Sequence, residues 1–325
     1  MHDALIASGR RRVFAAAIAG VALLSVTIAA VLFPLVWACT AMIGLIGRPW
    51  SFGWESTIWA VVISMVFGLV LGTSTAWGVY RHAARDVLFD ARAWPRPLPG
   101  RTVHTAGGPP PAFASFDLAG LTHAVTVMAV PYGIPAPNVA VIDDPALNSL
   151  TVGSGANAWI VVTTGLVNTL SRREVESILA FQLARVAVRE VSLDTIVYAC
   201  TGKTIELWGG VFDEIDETIV LLLPAAILAT PFVIAAGWLR RIAVHAGARL
   251  GDGLALRAMR DPSALVAALR RIEADPTVIR NAERATAHLW LEYPHTRWSR
   301  WLMRSDRLLP ARIARLSAAI PRPET

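Results

Sequence analysis

The sequence predicts a mainly α-helical, multi-span membrane protein that carries a small antiparallel β-sheet. Just over half of the residues are hydrophobic (54%) and the mean hydropathy is +0.50, which does not fit a soluble globule. Long uncharged runs are bounded by arginine, as membrane spans are. Between them lies a polar region in which two short Val- and Ile-rich stretches stand between Gly, Pro and Asn, the composition of half-buried strands.

Taken in order, Arg10-Arg11-Arg12 precede an apolar run from Val13 to Gly47 that is interrupted by Pro34. A helix needs about 20 apolar residues to cross a bilayer, so this run is one long tilted or kinked span. It far exceeds the roughly 7–15-residue apolar core of a cleaved signal peptide. Thr57 to Tyr80 forms a second span, closed by Arg81, His82 and Arg85. Arginine at both outer ends of this hairpin puts them in the cytoplasm by the positive-inside rule. Residues 1–85 are therefore read as a cytoplasmic stub and a transmembrane hairpin, and 86–325 as a second domain.

From Asp86 to Leu170 the composition turns mixed polar, with Pro95–Pro99 and Gly107–Pro111 marking loops and Phe116–Thr122 a short helix. The strand candidates are Asn138–Asp143 and Trp159–Thr164, and the polar turn Gly153–Asn157 between them suggests antiparallel pairing. Ser171 to Glu190 reads as a helix opened by a Ser-x-x-Glu capping box, Ser171 with Glu174. Val191–Val211 is a candidate span that carries Lys203 and Glu206, charges that usually face protein or water at depth. After an acidic loop, Asp213–Glu217, the stretch Thr218–Trp238 is a span ending in Arg240-Arg241. In the basic tail, Asp261-Pro262 starts a helix through Leu265–Ile272, and Arg312–Leu316 belongs to a second amphipathic stretch. Such a tail suits either anionic lipid or water.

The charge of +6 comes almost wholly from arginine, Lys203 being the only lysine. No basic stripe interleaved with aromatics accompanies it, which excludes nucleic acid as a partner. The arginine bias fits a GC-rich bacterial genome and hence a bacterial plasma membrane, with the soluble domain cytoplasmic. Cys39 and Cys200 both lie in apolar segments without metal-like spacing, against a disulfide scaffold or a zinc knuckle.

Within the helix from Ser171, Phe181 and Arg185 stand four residues apart on one face, with Gln182 beside them. In a zinc peptidase that frame would read His-Glu-x-x-His, two imidazoles on the metal and a carboxylate that activates its water. Further pieces match in order: Val-Ile-Asp at 141–143, Asn148 within Pro-x-x-Asn-x-x-x-x-Gly, Val-Thr-Thr-Gly-Leu at 162–166, the helix start at 171–176, Leu183-Ala184 and Arg189. Ala248 to Asp252, Ala287-His288-Leu289 and Arg312 to Leu316 follow. In this order and spacing the chain resembles the integral-membrane zinc metallopeptidases of the HtpX and CAAX prenyl-protease type. The resemblance implies a degenerate zincin-like metallopeptidase domain, since the two zinc histidines fall at Phe181 and Arg185, the general base at Gln182 and the third ligand at Ala248.

A catalytic zinc needs three protein ligands and an open position, and Gln182 cannot take and return a proton as Glu can. No catalytic residue and no metal ligand is therefore assigned, and zinc is expected to be absent. His245, His288 and His295 have no partner at i, i+4 for a replacement site, and no Ser, His and Asp set sits in a nucleophile elbow. Asp252, retained from the family pattern, is expected to pair with Arg185 in the vacated metal space; the alternative is that Arg185 reaches solvent and Asp252 caps a helix. Function is then expected to be binding: a pseudopeptidase that holds a membrane protein or an extended peptide segment. The segment would lie on Trp159, Ile160, Val161, Val162, Thr163 and Thr164, which the resemblance makes an edge strand. An active membrane metalloendopeptidase with an unrecognised or partner-completed site, and a purely structural subunit, are the other readings.

Overall fold

Three strands and the helix that follows them fix the frame of the candidate site. In the computed structural model, residues 2–47, 54–94, 118–213, 227, 230–242, 251–256, 262–280, 282–283, 285–292 and 308–319 are described. Ala248, residues 214–217 of the acidic loop, and residues 218–226 and 228–229 of the last expected span fall outside them. The chain divides into two units, one of Met1–Val13, His82–Thr195 and Arg240–Thr325, the other of Phe14–Arg81 and Ile196–Leu239.

In the second unit, α1 (His2–Gly47) and α2 (Trp54–Asp90) carry the expected hairpin, and Arg11–Met42 and Thr57–Asp90 are long and apolar enough to cross a membrane. The two helices approach closely because α2 presents glycine. A Cβ at Gly72 would lie 2.8 Å from the Ser25 Cα, and one at Gly68 the same distance from the Ala29 Cβ. Small residues four apart are the usual device for bringing spanning helices together without a hydrophobic driving force. Phe67, Val70 and Trp77 point outward and are exposed.

In the first unit, α3 (Leu118–Ala129) leads through a 3-10 turn, Val130–Tyr132, into β1 (Asn138–Ile142). Next come β2 (Ser149–Val152), β3 (Trp159–Thr163), α4 (Thr164–Thr169), α5 (Arg172–Ala187) and α6 (Glu190–Asp213). The sheet order is β1-β3-β2, with β3 parallel to β1 and antiparallel to β2. The expected antiparallel pair is thus corrected to a mixed sheet: the short stretch Ser-Leu-Thr-Val inserts as β2 and takes the antiparallel place beside β3. The Ser171 helix also ends earlier than expected, at Ala187, and Arg189 adopts a left-handed turn (φ 61°) before α6.

Helix α5 is buried on all sides from Ser177 onward, packed by α3 and by α7 (Pro262–Ala274), with α8 (Leu308–Ala319) on α7. Ile178, Leu179 and Leu183 are fully enclosed, each contributing about 1.5–3 kcal/mol on burial. Its start is the expected capping box, Ser171 and Glu174 each bonding the other's backbone N–H. In α8 the buried residues Leu309, Ile313 and Leu316 recur at helical spacing and place Arg312 and Arg315 beside the core.

A single hydroxyl ties the sheet to α4. Thr163 Oγ1 accepts from the backbone N–H of Asn148 (3.1 Å) and of Leu166 (3.3 Å), capping α4. Its own proton lies between the carbonyl oxygens of Ala146 and Asn148. Thr163→Val keeps the shape and removes the acceptor from buried N–H groups, so unfolding of the detergent-solubilised protein should show a loss of about 1–3 kcal/mol.

Candidate functional site

The left-handed residue Arg189 turns the chain sharply between α5 and α6, so that the first two turns of α6 face back toward the last turn of α5. Glu190 and Asp194, four residues apart on one face of α6, are thereby aimed at Arg185. The Arg185 Nε donates to Glu190 Oε1 at 2.9 Å and one terminal nitrogen donates to Asp194 Oδ2 at 2.7 Å. The other terminal nitrogen donates to Gln182 Oε1 at 2.9 Å. The Gln182 amide in turn donates to Ser149 Oγ on β2 at 2.7 Å, so the network runs from the sheet through α5 to α6. All three ionic side chains are 5% exposed or less.

Burial by itself would lower the pKa of Arg185, but the charges and hydrogen bonds of Glu190 and Asp194 outweigh it and hold the guanidinium more firmly protonated than in water. Glu190 Oε2 packs against Gly251, where a Cβ would come within 2.7 Å of it and 3.3 Å from the Arg185 Cγ. Helical residues 251–256 can pass this close to the ion pair only because position 251 has no side chain.

The expected partner of Arg185 is corrected. Asp252 faces α8, with Oδ2 accepting from Arg315 at 2.8 Å and Oδ1 in contact with the Arg312 Nε at 2.8 Å. That second contact is ionic only, since neither atom has hydrogen-bond geometry. Arg312 also stacks over the Phe181 ring at 4.7 Å, an attraction between a cation and the π face in a buried setting. Arg185 is held away from Asp252 because Glu190, Gln182 and Asp194 engage its Nε and both terminal nitrogens.

The same positions do not suit zinc. Phe181 has no donor atom, Gln182 is spent between Arg185 and Ser149, and Arg185 brings a positive charge into the space a cation would need. Among the described residues no three His, Cys, Asp or Glu side chains are grouped as ligands. The expected peptide-binding strand is corrected too: β3 is central, both its edges are paired, and Trp159 to Thr163 are all buried. Thr164 is the first residue of α4. The outer edges of the sheet are met by the chain itself, β1 by Trp94 at Val141 and β2 by Trp290 at Leu150.

His288 closes the site from another side, its Nε2 lying 3.0 Å from the Asp194 carbonyl oxygen. Since a carbonyl can only accept, that nitrogen carries the proton of a neutral ring. Burial, reinforced by the positive charge of Arg240, brings the His288 pKa from 6.5 down to about 3. Sequence reasoning missed Glu190, Asp194, Ser149, Arg312 and Arg315 as members of the site. The spacing of Glu190 and Asp194, one carboxylate per turn at the head of an otherwise apolar stretch, was the available signal.

Removing the guanidinium strands two buried carboxylates. Arg185→Met should lose about 3–5 kcal/mol in equilibrium unfolding. Adding Glu190→Gln and Asp194→Asn should recover much of that, whereas Arg185→Met and Asp252→Ala should be additive. The histidine gives a pH signature. Its unfolded form takes up a proton below pH 6.5 and its folded form only near 3, so the stability tied to it falls as pH drops through that window. Glu292 acts oppositely: burial, with Asp275 and Glu273 nearby, raises its pKa from 4.5 to about 7, so its contribution grows as pH falls from about 7 to 4.5. His288→Gln should remove the first trend and leave that of Glu292 together with Asp194, whose pKa burial raises from 3.8 to about 7 against the pull of Arg185. Unfolding midpoints across that range would register the change.

Comparison with known proteins agrees with this frame. The model of peptidase family M48 matches residues 118–319. Proteins described as Protease HtpX homolog are similar: that of Caldanaerobacter subterraneus is 29% identical over 189 residues, and that of Pyrococcus abyssi 30% over 187. Each alignment covers 54% of this chain, and 63% and 64% of the relative respectively, so the chain spans a little under two thirds of the length of the curated relatives it matches. No solved structure matches it. With most of its length, including the sheet, α5 and α8, inside the family match, this chain is a member of peptidase family M48, of the HtpX-type membrane metallopeptidases.

Proposed function

We propose that this membrane M48 protein is a pseudopeptidase, a binding subunit that has given up hydrolysis and acts as an adaptor, regulator or stabilising partner for another membrane protein. The observation that carries the reading is the Arg185 guanidinium, held by Glu190, Asp194 and Gln182 where the family resemblance would place metal chemistry. Zinc-assisted hydrolysis needs a Lewis acid and a base that can cycle a proton. Phe181, Gln182, Arg185 and Ala248 supply neither, and no step of a metal mechanism can be built on them.

The pairing of β3 on both edges weighs against capture of an extended segment on Trp159–Thr164, because an incoming strand would have to displace β1 or β2. A folded or membrane-embedded partner is the better fit. The arginines flanking the first two spans support a cytoplasmic location for the peptidase-like unit in a bacterial plasma membrane.

Full-length protein purified from membranes should carry far less than one zinc per chain by elemental analysis. It should leave casein uncut, with and without added zinc, and a chelator should change nothing. One zinc per chain together with chelator-sensitive cleavage would overturn the proposal. Crosslinking in native membranes should then recover a defined membrane-protein partner.

A further inference from the structure

Helix α3 is built for a surface other than water. From Leu118 to Ile142 the chain has no Asp, Glu, Lys or Arg. One face of α3, Leu121, Val125 and Ala129, packs into the core with Tyr132 of the following turn. The opposite face is open: Thr122, His123, Thr126, Val127, Val130 and Pro131 are exposed, Val127 at 56% and Val130 at 75%.

The two threonines do not make this face polar. Thr122 Oγ1 donates to the Leu118 carbonyl and Thr126 Oγ1 to that of Thr122, both at 2.8 Å, so their hydroxyls turn back onto the helix and their methyl groups face out. A helix that is apolar all round is normally enclosed, and this one is enclosed on one side only. Protein surfaces that contact partners usually carry Arg, Tyr, Trp or Phe anchors; this face has none of them, His123 being its one aromatic ring.

We propose that the outer face of α3 rests in the headgroup–acyl boundary of the bilayer. The same chain carries two helices long and apolar enough to span that bilayer, so insertion of this face is an intramolecular event. At 12 residues α3 is about 18 Å long, too short to cross and suited to lying in the interface plane. With no lysine or arginine on it, and His123 as its one titratable side chain, adsorption rests mainly on apolar burial and depends little on salt or on the charge of the lipid. This inference does not depend on whether the protein hydrolyses peptides.

The test uses the full-length chain, with Cys39→Ser and Cys200→Ala, in phosphatidylcholine nanodiscs. A fluorescent label is placed at Val127→Cys, at Val130→Cys, or at the exposed control Arg172→Cys. Labels at 127 and 130 should be quenched several-fold more by spin-labelled lipid than the control, and several-fold less by aqueous acrylamide. High salt or added phosphatidylglycerol should change neither. Acrylamide quenching equal to the control would place the face in water and overturn the proposal. Shielding from both quenchers would do so as well, by showing that protein covers it, whether residues 95–117 of this chain or a second copy.

Discussion

A buried guanidinium between two carboxylates sets the terms for everything around it. Arg185 lies on a helix enclosed on every side, where an unpaired charge would cost several kcal/mol, a large share of what a domain gains from folding. Its neighbours follow from that constraint. Glu190 and Asp194 must sit one turn apart on the next helix, the chain between must reverse within two residues, and the helix passing overhead must have no side chain at position 251. Arg189 accepts a left-handed backbone, about 1–2 kcal/mol unfavourable for a residue with a Cβ, to make that reversal.

In a metallopeptidase the metal also works as a cross-link, tying the active helix to the helix that brings the third ligand. Here two charge clusters span comparable ground. One runs from Ser149 on β2 through Gln182 and Arg185 to α6. The other runs from Phe181 through Arg312 to Asp252, and so from α5 by way of α8 to residues 251–256. Neither has the strength of a coordination bond, but together they tie β2, α5, α6, α8 and residues 251–256. Asp252, which the resemblance led one to expect beside Arg185, serves the second cluster and not the first.

What could be read from the sequence was governed by local chemistry. The capping box at Ser171 and Glu174, the two apolar spans and the Val- and Ile-rich strands are written in neighbouring residues, and the structure has them. The order of the sheet is not local. Ser149–Val152 is four residues long and half polar, so nothing in its composition announces a strand until β3 is there to pair with it. The partner of Arg185 failed for a related reason. Asp252 was favoured because it was the acid known to lie near the site by resemblance. Glu190 and Asp194 reach it only through the turn at Arg189, and a positive φ at arginine has no signal in sequence.

The interlocking of these groups has a consequence for substitution. A single change of Arg185 to histidine would leave Glu190 and Asp194 facing one another in a dry interior, and Phe181 to histidine would take away the phenyl ring on which Arg312 rests. Neither single change builds a set of three ligands, and each removes a contact on which the present arrangement depends. Each group is thus held in place by the others, and substitutions in this cluster have to be compensated together.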